Sequence, residues 1–242
     1  MVRDSGFNPR VPKPDSRLPT PESRLPGPDS RFPILHAIVD AEAAERAGWT
    51  PIDLARAVLA GGARLLQLRA KHLTGAAFLD AAKAIVELAR PFDAIVIVND
   101  RADIARLSGA DGVHVGQEDL SPRAVRQVVG ADAVVGLSTH TMEQLERALD
   151  EPVSYVATGP VFGTMTKHTG YDAIGLERVA AAARRTTARS LPLVAIGGIT
   201  LERAASVVAA GATSVAVIGD LLATADPEGR TRSFLRVLNS VT

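Results

Sequence analysis

The chain contains no cysteine, which excludes disulfides, thiolate-ligated zinc, iron–sulfur clusters and a thiolate nucleophile. Aromatic residues make up only 4% of it and its formal net charge is zero. That combination argues against a basic nucleic-acid binder with stacking platforms. No apolar run approaches the roughly 18 residues of a membrane span, and the opening MVRDSGFNPR lacks the apolar segment of a secretory signal. These absences fit a soluble cytoplasmic protein. What is present is a chain of 242 residues, 46% of them apolar, which can bury one large core and fits one domain better than two.

Proline is unevenly spread: eight of the fifteen lie in residues 1–33. The same stretch carries a seven-residue near-repeat, Asp15-Ser-Arg-Leu-Pro19, Glu22-Ser-Arg-Leu-Pro26 and Asp29-Ser-Arg-Phe-Pro33. A period of seven invites a coiled coil, but proline in every unit removes a helix donor and clashes with the preceding turn. We read residues 1–33 as a disordered, Pro-rich tail and residues 34–242 as the folded domain. A native start near Phe32 is a competing reading of the tail.

From Ile34 onward, short apolar runs alternate with longer Ala-rich amphipathic segments. The runs are Ile34–Val39, Arg64–Leu68, Ala94–Val98, Gly112–Val115, Ala133–Leu137, Val153–Ala157, Leu193–Ile196 and Ser214–Ile218. Several are apolar at consecutive positions, as strands covered on both faces are. The intervening segments carry helix starts. Thr50-Pro51, Ser121-Pro122 and Asp226-Pro227 each put a capping side chain before a proline at the first helical position. Thr141 with Gln144 has capping-box spacing, and Thr200 is placed to cap another helix. Gly61, Gly109, Gly130 and Gly211 follow helical stretches, where a left-handed C-cap takes glycine. Eight strand–helix units predict an α/β fold, a closed (β/α)8 TIM barrel, with an open doubly wound sheet as the competitor.

Such a barrel carries its site at the C-terminal ends of the strands, so the residues following each run matter most. After the second run come Gln67, Arg69 and Lys71. Strand alternation puts Gln67 and Arg69 on one face, with Lys71 continuing the row. An amide and two cations suit a polyphosphate. After the third run come Asn99 and Asp100; after the fourth, Gly116, Gln117, Glu118 and Asp119. Asp100 and Asp119, above neighbouring strands and beside cations, have the hard oxygens that Mg2+ takes together with phosphate oxygens. The plain alternative has Asp100 capping the next helix. The fifth run ends in Ser138-Thr139-His140. The sixth leads to a hydroxyl-rich loop with Thr164, Thr166 and Lys167, fit to close over an anion. The seventh and eighth end in Gly197-Gly198 and Ile218-Gly219, small residues whose amides can approach a phosphate. Asp220 opposes an anion there if it points inward, so it is expected to face away. The pattern therefore predicts two anion sites, one strongly cationic and one built of backbone amides, fit for two phosphorylated small molecules.

Other chemistries fare worse. None of the five histidines forms a ligand-spaced pair, which argues against zinc. None of the four lysines, Lys13, Lys71, Lys83 and Lys167, lies within a predicted strand, where a desolvated Schiff-base amine belongs.

Six stretches together resemble the thiamine-phosphate synthase (thiamine-phosphate pyrophosphorylase) family: QLRAKHLTG at 67–75, VNDRADIA at 98–105, GADGVHVGQEDL at 109–120, VGLSTHT at 135–141, GPVFGTMTK at 159–167 and VAIGGIT at 194–200. The resemblance implies a magnesium-dependent transferase. It would join 4-amino-2-methyl-5-hydroxymethylpyrimidine diphosphate to 4-methyl-5-(2-phosphoethyl)thiazole, giving thiamine phosphate and pyrophosphate. By the family pattern, Gln67, Arg69, Lys71, Asn99 and Lys167 contact the pyrimidine substrate, chiefly its diphosphate. Ser138 contacts that substrate near the reaction centre, and Asp100 and Asp119 hold Mg2+. Thr164, Thr166, Gly198, Ile218 and Gly219 bind the thiazole phosphate. Lys167, Ser138 and Arg69 are the catalytic candidates.

The sequence departs from that pattern at His36, where tyrosine is usual, at Gly163, where proline is common, and at Gly219, which is often serine. None of these changes removes a charged site residue. A thiazole tautomerase and a non-enzymatic phosphate-binding barrel are the rival readings.

Overall fold

The computed structural model describes residues 32–163 and 171–241. The tail reading therefore falls, up to residue 31, outside the described residues, as do Thr164, Thr166 and Lys167. Eight parallel strands close into a barrel in sequence order. They are β1 (Leu35–Asp40), β2 (Leu65–Arg69), β3 (Ile95–Asn99), β4 (Gly112–Val115), β5 (Val134–Thr139), β6 (Tyr155–Thr158), β7 (Leu193–Ile196) and β8 (Ser214–Val217). β1 pairs with β2 and with β8, which closes the sheet.

The helices are α1 (Ala41–Arg46), α2 (Pro51–Ala60), α3 (Gly75–Ala89), α4 (Ala102–Ser108), α5 (Pro122–Val129), α6 (Met142–Ala148), α7 (Gly175–Thr187), α8 (Leu201–Ala209) and α9 (Pro227–Asn239). The unbroken apolar runs follow from burial on both sides. Val39, Leu66, Val98 and Val135 face out and pack with Leu54, Val58, Ile85 and Val207 of the helices. Ile38, Leu65, Ile97, Val134, Val194 and Ala216 belong to a second, interior cluster. Phe32, on the tail side of the predicted boundary, closes that interior from below, its ring centroid 5.4 Å from that of Tyr155.

Local chemistry sets the helix starts. Thr50, Ser121 and Asp226 each accept a hydrogen bond from the amide three residues on, ahead of a proline in the first turn. Thr141 accepts from the Gln144 amide at 3.2 Å. The Gln144 side chain reaches back to the amide of His140 rather than to that of Thr141, at 2.6 Å.

Four readings need correction. Gly130 ends α5 with φ of 94° and ψ of 174°, an extended glycine conformation rather than the left-handed helical one. Thr200 makes no capping hydrogen bond; the Leu201 amide donates instead to Asp220 Oδ2 at 3.0 Å. Gly61 is right-handed, with φ of −70°, and the left-handed position falls to Gly62 at +105°. Glycine is nonetheless required at 61, because a Cβ there would lie 2.6 Å from the Glu228 carbonyl oxygen of α9. Finally, Asp100 does not cap α4: the residue at that position is Arg101, without a side-chain cap.

Candidate active site

Register carries the polar residues to one rim. Asp40 stands opposite Arg69, Asn99 opposite His114, and Ser138 opposite Ala157. A cavity of about 270 Å³ opens there, lined by Gln67, Arg69, Lys71, Asn99, Asp100, Asp119 and Ser138 among others. Every predicted residue of the cationic site that lies among the described residues thus lines one cavity.

The charges in it are already arranged. Arg69 is ion-paired through Nη1 with Asp40, a carboxylate almost wholly buried at the end of β1. The other Asp40 oxygen caps α1 by accepting from the Ala43 amide at 2.8 Å. One edge of the guanidinium is therefore fixed. Its Nε is buried and has no hydrogen-bond partner among the described residues, which leaves one donor unsatisfied. Lys71 Nζ lies 3.2 Å from Asp100 Oδ2.

Asp100 has φ of +63°, a left-handed conformation uncommon away from glycine. Its own amide donates to the His114 carbonyl at 2.8 Å. That turn directs the carboxyl over β4, where Asp119 stands. Burial, and then the nearby Asp119 carboxylate, raise the Asp100 pKa, against the pull of Lys71. Asp119 Oδ2 accepts from the Gly116 amide at 2.8 Å, so it shapes the β4 loop and leaves the capping of α5 to Ser121.

Beneath these residues lies a chain of polar groups that leads to Ser138 through two side chains the sequence did not single out, Tyr155 and His114. Tyr155 reaches up from the start of β6, with its hydroxyl oxygen 2.9 Å from His114 Nδ1. His114 Nε2 is 2.8 Å from Ser138 Oγ. On the far side, His140 stacks on Tyr171, ring centroids 4.1 Å apart. Both line the cavity. His36 is buried beside Gln67, its Nε2 3.3 Å from the amide nitrogen.

A second cavity, also about 270 Å³, includes Gly197, Gly198, Ile218, Gly219 and Arg203 in its lining. Gly197 and Gly198 have φ of +104° and +62°, and a Cβ on Gly198 would come within 2.5 Å of the Gly163 carbonyl oxygen. Glycine is thus required for this turn. Contrary to expectation, Asp220 does not face away but lines this cavity; its charge is met instead by Arg230, 2.6 Å away, and by the Leu201 amide. Arg203, another residue the sequence did not single out, adds a cation. Its Nη1 donates to the Gly198 carbonyl at 3.1 Å, and its guanidinium lies 4.8 Å from the Phe162 ring centroid. The two cavities share Ile196 and Ala216.

Known proteins match this chain in sequence and fold. A family model described as thiamine monophosphate synthase matches residues 35–221. A thiamine-phosphate synthase of Koribacter versatilis (strain Ellin345) is 46% identical over 210 residues, covering 86% of this chain and 97% of that one. One from Roseiflexus sp. (strain RS-1) is 41% identical, covering 86% of each. A solved structure of thiamine phosphate pyrophosphorylase from Pyrococcus furiosus superposes with a TM-score of 0.77 at 28% identity, over 86% of this chain and 96% of that one. The eight-stranded barrel, the paired rim cavities and these matches together make the chain a member of the thiamine monophosphate synthase family.

Proposed function

We propose that this chain is a transferase. It condenses 4-amino-2-methyl-5-hydroxymethylpyrimidine diphosphate with 4-methyl-5-(2-phosphoethyl)thiazole to give thiamine phosphate and pyrophosphate. The observation that carries this reading is the pair of adjoining cavities with different chemistry. One gathers two cations, amides and three carboxylates; the other offers glycine turns, Arg203 and the Arg230-paired Asp220. Two phosphorylated partners fit that division.

In the first cavity, Gln67, Arg69, Lys71 and Asn99 take the pyrimidine diphosphate, joined by Lys167 from beyond the described residues. Arg69 lines the cavity while Asp40 holds its guanidinium in place. Ser138 contacts the same substrate near the reacting carbon. In the second, Gly198, Ile218 and Gly219 receive the thiazole phosphate with Thr164 and Thr166, and Arg203 adds charge.

Mg2+ fits the donor set. Asp100 and Asp119 supply hard oxygens, and Asp119 stands close enough to disfavour ionisation of the Asp100 carboxyl. Among the described residues no cluster of three metal-ligating side chains exists. Two carboxylates with the rest drawn from substrate and water is the usual magnesium arrangement. When bound, the ion neutralises charge on the diphosphate.

The chemistry asks for little else. Departure of pyrophosphate leaves a pyrimidine-methyl cation stabilised by the amino-substituted ring, and the thiazole nitrogen attacks the exocyclic carbon. Such a step needs charge neutralisation at the leaving group more than a strong base, and Arg69, Lys71 and Lys167 provide it.

Incubating both substrates with and without magnesium tests the reading. Magnesium-dependent thiamine phosphate supports it. Thiazole isomerisation alone makes the chain a tautomerase, and binding without conversion makes it a phosphate-binding barrel. Lys167→Ala should slow the chemical step by about 10²-fold or more and leave thiazole phosphate affinity nearly intact. Turnover at the wild-type level would remove Lys167 from the mechanism.

A further inference from the structure

The hydrogen-bonded chain under the first cavity has a direction. Tyr155 is fully buried, and its ring packs among Phe32, His36 and His114. Among the described residues, the one hydrogen-bond partner of its hydroxyl is His114 Nδ1. A buried phenol must place its proton on an acceptor, so Tyr155 donates and Nδ1 accepts. A neutral imidazole with Nδ1 as acceptor carries its proton on Nε2. That proton points at Ser138 Oγ, 2.8 Å away. The serine oxygen therefore accepts from below, and its own proton is left to be donated elsewhere.

Two features hold this order. Burial raises the Tyr155 pKa well above the usual phenol range, which keeps the phenol a donor. Gly136, between the partners on β5, makes the contact possible. A Cβ there would lie 2.4 Å from both the Tyr155 hydroxyl oxygen and His114 Nδ1.

We propose that Tyr155 and His114 are positioning residues forming a one-way relay that fixes the Ser138 hydroxyl as a hydrogen-bond donor to the leaving diphosphate. The inference rests on the reading that Ser138 contacts the pyrimidine substrate. Ser138 lines the same cavity as Arg69, Lys71 and Asn99, where the acceptors that the proposed substrate brings are phosphate oxygens. A donor aimed there strengthens as negative charge develops on the departing group. Aimed at a ring nitrogen, the same donor would withdraw density from the forming cation. The relay thus distinguishes two uses of one serine.

The tautomer is read directly from ¹⁵N-histidine NMR of the wild-type enzyme, with no variant required. His114 is expected as the Nε2–H form, and Tyr155→Phe should remove that preference. In steady-state assays, Tyr155→Phe and Ser138→Ala should each lower kcat about tenfold and leave the KM for thiazole phosphate unchanged. The double variant should be no slower than Ser138→Ala alone, because both remove one interaction. An Nδ1–H tautomer in the wild type, or additive losses in the double variant, would overturn the relay. Wild-type turnover by Ser138→Ala would instead overturn the placement of Ser138 at the substrate, and the catalytic part of the relay with it.

Discussion

His36 is a buried titratable group with an incomplete set of partners. Only 1% of it is exposed, and its Nδ1 has no hydrogen-bond partner among the described residues. Burial lowers its pKa from 6.5 to about 3. Between those two values the unfolded chain binds a proton that the native ring refuses. Stability from the neutral ring is therefore complete above pH 6.5 and is lost as pH falls towards 3. At pH 5 the loss amounts to about 2 kcal/mol relative to pH 7.5. Urea denaturation at the two pH values should show His36→Gln losing less stability on acidification than the wild type. Parallel losses would show that the ring takes no part in the acid response.

Such residue-level partnerships are the least legible part of the sequence. Gln67, Arg69 and Lys71 can be read from one strand end because alternation places them together. Asp40 pairs with Arg69 across 29 positions and His114 meets Tyr155 across 41. Neither spacing carries a local signal; only barrel closure and register bring those groups into contact.

The elements themselves are largely written in the sequence. All eight apolar runs are strands, with two of the eight, β4 and β7, bounded as read. The capping residues before proline mark the starts of α2, α5 and α9, because cap and proline act within a few residues of each other. Glycines are harder to assign, since conformation and crowding both select for glycine. Gly61 was legible as a glycine-requiring position, but the reason lies in α9, far along the chain. Gly61→Ala should cost about 1–3 kcal/mol by forcing a Cβ against the Glu228 carbonyl and Thr231. Gly163→Ala, where no atom of the described residues lies within 4 Å of the added carbon, should stay within about 0.5 kcal/mol of wild type. Equal midpoints for the two variants in chemical denaturation would show that the α2–α9 contact relaxes without cost.

At the scale of the whole barrel, closure makes first and last strands neighbours. His36 of β1 stands beside Ala216 of β8, and Ala216 beside Ile196 of β7. The cationic cavity and the glycine-turn cavity therefore meet along one seam rather than on opposite sides of the rim. For two substrates to react, their reacting atoms must approach to about 3–3.5 Å, and this seam is where the cavities allow it. Ala216 is small, buried and common to both linings, whereas Ala223 lines only the second. Ala216→Leu should raise the KM for both substrates about tenfold or more, because its added atoms occupy space that each ligand needs. Ala223→Leu should raise the KM for thiazole phosphate alone. Circular dichroism melts on both variants separate loss of binding from loss of fold. If a folded Ala216→Leu enzyme binds either substrate with wild-type affinity, the two ligands do not meet at the β7–β8 seam.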